Sequence, residues 1–271
     1  LFVLFAVLFI SCAEKEDVQE KSPFDYVNTF IGTNNAGNTY PGAVLPWGMA
    51  SVSPHNCLNF ESEDNTQTGI YVYGQPDIYG FGNIHYSGVG CNLGGNIILM
   101  PQPGDLNIDP VSNRSSYSNE KSQPGYYEVK LDEYNITARL TATRRCGLSK
   151  FTFQDKKGNI TLDLSHPTNG VWGGYINLVS EDELEGFERD GGMCGSRLKY
   201  EVYFVIRFNK KAQNYGVYED GVVLDSSSVT GENVGAFYSF DFKDDKELMA
   251  KVGISYVSIE QARKNMEAEI P

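Results

Sequence analysis

Tyr126-Tyr127-Glu128-Val129-Lys130-Leu131, continued by Ile136-Thr137-Ala138-Arg139-Leu140, is the stretch that decides the fold of this chain. Tyr127, Val129 and Leu131 fall on one face, and Tyr126, Glu128 and Lys130 on the other. Successive side chains leave a pleated backbone on opposite sides, so this alternation marks a strand with one face buried. Ile136, Ala138 and Leu140 repeat the pattern beyond a turn at residues 133–135. Further on, Phe151 and Phe153 follow a corner at Gly147, and Asp155-Lys156-Lys157-Gly158-Asn159 reads as a hairpin turn before Ile160, Leu162 and Leu164. Tyr200, Val202, Phe204, Ile206 and Phe208 predict a long strand, and residues 236–242 and 248–256 two more. Helical periodicity is nearly absent before Ser258. Many strands joined by short polar turns, without helical interludes, predict an all-β, antiparallel β-sandwich.

Both ends of the chain differ in character from this body. Residues 1–10 are an unbroken apolar run, too short to span a bilayer as a helix, which takes about 20 residues. The run fits the core of an export signal. Phe9-Ile10-Ser11-Cys12 resembles a lipobox, which implies cleavage before Cys12, acylation of that cysteine, and a lipid-anchored protein of the bacterial envelope, periplasmic or surface-exposed. Ala13-Glu14-Lys15-Glu16-Asp17 resembles the charged export signals of surface lipoproteins; a plain solvated linker would look the same. At the other end, Ser258-Ile259-Glu260-Gln261 fits a capping box, and residues 261–268 are rich in helix formers. With Pro271 following directly, the helix is expected to lead into a further domain. The expected division is a signal over 1–12, a linker over 13–23, a sandwich over 24–257 and the start of a linker helix over 258–271.

A formal net charge of -13 argues against a nucleic-acid partner, which would require a basic face. The 17 tyrosines and 15 phenylalanines suit a sheet surface or a sugar-stacking site. Cys57, Cys91, Cys146 and Cys194 permit three pairings in an oxidising compartment, and the sequence selects none of them. No close cysteine pair has zinc-ligand spacing, and three histidines are too few for a multi-histidine metal cage.

The remaining signal is local. Gly80 to Pro101 reads GFGNIHYSGVGCNLGGNIILMP, with six glycines ahead of an apolar run at 97–100. Glycine at this density allows positive φ and close approach of backbone to a ligand. The apolar run reads as a buried strand anchoring the loop. This loop is taken as the site, and the rest of the domain as its scaffold; the alternative, which composition alone favours, is a tight glycine-rich corner with no ligand.

Two segments carry a resemblance. The first runs Tyr26-Val27-Asn28-Thr29-Phe30-Ile31-Gly32-Thr33, then through Asn34, Asn35, Gly37, Asn38, Tyr40-Pro41-Gly42-Ala43 to Pro46-Trp47-Gly48-Met49; the second is the glycine-rich loop, with His85, Ser87, Gly88, Gly90 and Cys91. In this order, with Pro124-Gly125-Tyr126-Tyr127 and Ala262-Arg263-Lys264-Asn265, they resemble the N-terminal domain of glycoside hydrolase family 92, the exo-acting α-mannosidases. The resemblance implies a β-sandwich joined to a larger (α/α)₆ barrel, with a mannose-containing glycan held between them. It also implies calcium-dependent, inverting hydrolysis, with the ion and the acid and base carboxylates held mainly by the barrel. This chain would then supply pocket walls and no proton transfer. The alternative is a stand-alone glycan-binding lipoprotein without hydrolytic activity. Two departures stand out: Asn83 replaces a histidine of the common motif, and Leu93, Gly94 and Asn96 replace a run that usually carries aspartates.

Inverting hydrolysis needs two carboxyl groups about 6.5–9.5 Å apart. The acidic runs at Glu61, Glu63 and Asp64, at residues 181–185 and at residues 241–245 lack apolar flanks and read as solvated loops, poor places for a general acid. Asp77, between aromatic strands, reads as structural. Sugar recognition instead calls for planar amides, backbone donors and an aromatic platform. Asn34, Asn35, Gly37 and Asn38 offer these in one loop and are candidate substrate contacts; His85, a lone histidine near apolar residues that would otherwise read as structural, joins them with Gly88 as what the resemblance of their loop implies. Trp47 is either a stacking platform or a core aromatic beside a proline turn. Cys91 either lines the pocket or forms half of a disulfide. His55 is a weaker pocket candidate, and His166 reads as structural.

Overall fold

The computed structural model describes residues 21–35, 37–57, 69–88, 94–165 and 171–271. Among them lie two large antiparallel sheets enclosing one apolar core. One has eight strands in the order Ala43–Val44, Ser51–His55, Gly80–Gly82, Ile98–Pro103, Lys157–Asp163, Val234–Asp241, Asn214–Glu219 and Val222–Leu224. The other has ten: Ser228–Gly231, Gly174–Ser180, Glu183–Gly191, Lys199–Phe208, Glu247–Ser255, Cys146–Thr152, Ile136–Ala142, Tyr126–Leu131, Ser115–Gln123 and Asp77–Ile78. A separate two-stranded ribbon pairs Ile84–His85 with Gly94–Asn96. This is the predicted β-sandwich.

Alternation explains how the layers close. Val129, Leu131, Ile136, Ala138 and Leu140 are all buried, while the residues between them are half-exposed. Rings bridge the two sheets: Phe81 meets Phe151 at 5.9 Å between centroids, and Phe208 meets Tyr238 at 5.0 Å. Aromatic pairs at these separations add to the stabilisation from buried area alone.

Two local expectations are corrected. Residues 155–159 do not form a hairpin turn: Cys146–Thr152 belongs to the ten-stranded sheet and Lys157–Asp163 to the eight-stranded one, so the chain crosses between layers here. Alternation says which face of a strand is buried and not which neighbour it pairs with. Gly147 is not a corner either, since it lies within a strand opposite Ala142 and Val252. A Cβ at Gly147 would stand 2.4 Å from Asn83 Oδ1, and that crowding is its reason to be glycine.

The predicted helix spans Ile259–Glu269, capped by Ser258, whose Oγ accepts the Gln261 N–H at 3.1 Å. Only half of the capping box forms, because the Gln261 side chain donates to Asn265 Oδ1 instead, at 2.8 Å. Ala262 and Met266 bury against Cys146 and Val205, and a Cβ on Gly253 would lie 2.5 Å from the Ala262 carbonyl oxygen. The Arg263 guanidinium forks onto Glu183 and Glu185, and Arg207 holds the second oxygen of Glu183 at 2.6 Å. The 181–185 run is therefore not a solvated loop: Glu183 is buried between two arginines that tie the helix to the sheet. In the run at 241–245 the carboxylates Asp241, Asp244 and Asp245 are exposed, with Asp245 paired to Lys210, but Asp241 ends a strand and Phe242 beside it is buried in the core.

Candidate functional site

The N-terminal motif winds into a compact loop closed by the Thr39 N–H on the Gly32 carbonyl at 3.2 Å. Asn35 and Asn38 take left-handed backbone, φ 53° and 56°, which asparagine tolerates better than most residues. Asn34, Asn35 and Gly37 are exposed. The two asparagines line an open hollow of about 400 Å³, whose aromatic wall is Phe30 set edge-on to Tyr73 at 5.7 Å. Asn38 is half-buried, and its carbonyl accepts the Gly88 N–H at 2.6 Å, docking the amide-rich loop on the glycine-rich one. Beside that contact the Tyr40 ring lies 4.9 Å from His85. Cys91, His166, Glu61, Glu63, Asp64 and the export segment with Cys12 lie outside the described residues.

Trp47 is not a core aromatic. Its side chain is fully exposed and its backbone is left-handed at φ 63°, in a turn closed by the Gly48 N–H on the Leu45 carbonyl at 2.8 Å. Holding a bulky residue there costs about 1–2 kcal/mol. Strain of this kind concentrates at functional sites. Asp77 forms an ion pair with Arg114 at 3.4 Å, in keeping with a structural role.

His85 stands on the ribbon and is 7% exposed. Its N–H donates to Ser51 Oγ at 2.6 Å, and its Nδ1 lies 3.0 Å from the Ser51 carbonyl oxygen. A carbonyl only accepts, so Nδ1 carries the proton and Nε2 keeps a bare lone pair, buried without a hydrogen-bond partner. Burial lowers its pKa to about 4, so the ring is neutral at neutral pH. His55 is wholly buried, edge-on to His85 at 5.3 Å, with both ring nitrogens unpartnered and its pKa driven well down by burial and then by its neighbour. It borders a small, enclosed hollow that it shares with Tyr79, Met100 and Asp163, away from the hollow that Asn34 and Asn35 line. The pair fits only because two neighbours lack side chains: a Cβ on Gly82 would lie 2.5 Å from His55 Nε2, and one on Gly95 2.4 Å from His55 Cε1.

Beneath the ribbon lie two carboxyl groups that the sequence reading did not single out. Glu188 and Asp190 are 0% and 1% exposed and stand on the core face of Glu183–Gly191. Asp190 Oδ2 accepts from Asn96 Nδ2 at 3.2 Å and from the Tyr200 hydroxyl at 2.9 Å, and Glu188 Oε2 accepts the Ile97 N–H at 3.1 Å. Burial raises both pKa values. The signal was available: Leu184, Gly186, Glu188 and Asp190 share one phase of the alternation. Both carboxyls are sealed from solvent, so neither reaches a substrate. Among the described residues no three His, Cys, Asp or Glu side chains gather to hold a metal ion. Cys146 is a buried free thiol whose pKa burial raises to about 12, and Cys194 is disulfide-bonded.

The fold and rim define a two-sheet antiparallel sandwich that presents an amide-rich loop, a strained tryptophan and a glycine-rich ribbon. Residues 26–255 match the glycosyl hydrolase family 92 N-terminal domain, and the chain belongs to that family. It is 30% identical to a family GH92 alpha-mannosidase of Bacteroides thetaiotaomicron, with a TM-score of 0.82 over 90% of this chain and 35% of that one. The same enzyme has been solved in complex with mannoimidazole, with a TM-score of 0.81 over 90% of this chain and 34% of that one, again at 30% identity. A family GH92 inverting mannosidase of the same species, strain VPI-5482, is 26% identical, with a TM-score of 0.77 over 92% of this chain and 34% of that one. An uncharacterized secreted glycosidase of Arthroderma benhamiae is 28% identical over 91% of this chain and 35% of its own length. The chain thus spans about a third of the length of these relatives.

Proposed function

We propose that this chain is the N-terminal domain of a calcium-dependent, inverting exo-α-mannosidase that trims mannose-containing glycans in the bacterial envelope. Its part is to form one wall of the sugar pocket. The observation that carries this reading is the 30% identity, across nine-tenths of the chain, to an α-mannosidase solved with mannoimidazole. The rim supports the division of labour. Asn34 and Asn35 offer amides at an open hollow, and Trp47 offers an unshielded ring. The perturbed carboxyls Glu188 and Asp190 are buried away from any substrate, so the acid, the base and the calcium ligands are assigned to an (α/α)₆ domain following this one. Anchoring through an acylated Cys12 belongs to the same proposal.

The test uses the protein extended to the length of its relatives. Proton NMR of the sugar first released from an α-mannoside should show the β-anomer, since inversion of an α-linkage gives β. A chelator should abolish release, and added calcium should restore it. First formation of the α-anomer, or release unaffected by the chelator, rejects the mechanism; absence of any release rejects the assignment.

A further inference from the structure

We propose that Glu188 and Asp190 are positioning residues, a buried carboxyl pair that clamps both sides of the ribbon carrying His85. The role builds on the reading of this rim as a glycan wall. On one side of the ribbon, Tyr86 directly follows His85, and its hydroxyl lies 3.5 Å from that of Tyr200, which in turn donates to Asp190 at 2.9 Å. On the other side, Asn96 donates to Asp190 and the Ile97 N–H donates to Glu188. Both ends of the ribbon therefore terminate on two side chains spaced i, i+2 along one strand of the ten-stranded sheet.

The clamp holds a conformation that would not persist alone. Ile97 is β-branched, buried and left-handed at φ 59°. Such backbone survives only where the surroundings over-determine it. Its N–H has Glu188 as acceptor, while Glu188 Oε1 and Asn96 Oδ1 are buried without hydrogen-bond partners. Two carboxyl groups buried at i and i+2 on one face of a strand each oppose the other's ionisation. The Glu188 pKa is raised well above the usual range by burial first, then by Asp190 and, to a smaller degree, Asp163 of the Lys157–Asp163 strand, and burial raises that of Asp190 as well. Tyr200 is a neutral phenol, its pKa raised by burial. As pH rises through the raised carboxyl values, charge on both carboxyls under the ribbon loosens it.

The experiment compares Glu188→Ala, Glu188→Gln and Tyr200→Phe, the last alone and with Tyr256→Phe, in the protein extended to the length of its relatives. Hydrogen exchange is read at the amides of residues 84–86 and 94–97, and kcat and KM are read across pH. Glu188→Ala should speed ribbon exchange at least tenfold against the rest of the sheet and raise KM more than it lowers kcat. Glu188→Gln, which still accepts a hydrogen bond and cannot ionise, should restore protection and remove the alkaline fall in kcat/KM. Tyr200→Phe removes the Tyr86 link to Asp190, and combined with Tyr256→Phe, which removes the other hydroxyl partner of Tyr86 at 3.1 Å, it should free residues 84–86 more than 94–97; this pair decides the matter if Glu188→Ala does not fold. Ribbon amides as protected in Glu188→Ala and in the Tyr200→Phe, Tyr256→Phe pair as in the parent overturn the clamp, as does an unchanged alkaline limb in Glu188→Gln. Exchange needs no turnover, so a protein without mannosidase activity whose ribbon still loosens rejects the glycan reading and keeps the clamp.

Discussion

Trp47 joins a left-handed backbone, which costs stability, to a ring wholly in water, which contributes none. Glycine at this position removes the Cβ clash, and its extra unfolded-state freedom offsets the gain by about 0.5–1 kcal/mol. Trp47→Gly should therefore leave urea stability within about 1 kcal/mol of the parent. Mannose release by the extended protein should fall about tenfold, the worth of one ring stack near 1.4 kcal/mol. His85 shows how far a single residue was legible. Its motif marked it as a site residue, but nothing in the local pattern said that its ring turns inward against Ser51. The sign of its pH effect follows from the geometry. The folded pKa, about 4, lies below the ordinary 6.5, so the unfolded chain takes up more protons between those values. Stability is lost as pH falls from 6.5 toward 4, by on the order of 3 kcal/mol at about 1.4 kcal/mol per decade. His85→Asn should flatten this acid limb in thermal melts at pH 7, 5.5 and 4, without abolishing it, because His55 titrates in the same direction. The raised carboxyls act oppositely, losing stability as pH climbs above the ordinary carboxylate range.

At the scale of the element, the ribbon depends on what its neighbours lack. Gly95 and Gly104 are both left-handed, φ 76° and 67°, but a Cβ on Gly95 would strike His55 and Ile70 at 2.4 Å, whereas one on Gly104 meets nothing within 4 Å. Gly95→Ala should therefore cost about 1–3 kcal/mol more than Gly104→Ala in matched denaturant titrations, the surplus being the clash. Ser258→Ala should cost about 1 kcal/mol through the lost cap on the Gln261 N–H. These elements differ in how openly the sequence declares them. The strand at Tyr126–Leu131 and the helix after Ser258 were legible because period and capping are local properties. The crossing after Thr152 was not, since a strand leaving for the opposite layer alternates as one turning back on its neighbour does. Glu188 and Asp190 were hidden by composition: Phe187-Glu188-Arg189-Asp190 looks like a polar surface run until its phase is carried over from Leu184.

For the whole molecule, the sandwich core is complete while the proposed pocket is half of one. Calorimetry of this chain with methyl α-mannoside should show no binding at millimolar ligand, and the extended protein should bind. Measurable binding by the chain alone would favour the stand-alone glycan-binding lipoprotein. One property of the layers reaches beyond sugar chemistry. The four outermost strands, Ala43–Val44, Val222–Leu224, Ser228–Gly231 and Asp77–Ile78, have two, three, four and two residues, whereas Lys199–Phe208 in the interior has ten. A border that short offers an incoming backbone too few donors and acceptors to template on. Two copies meeting at these four strands have only short ladders to extend; the longer edge available to a partner is residues 117–123, which Asp77–Ile78 leaves without a strand neighbour on that side among the described residues.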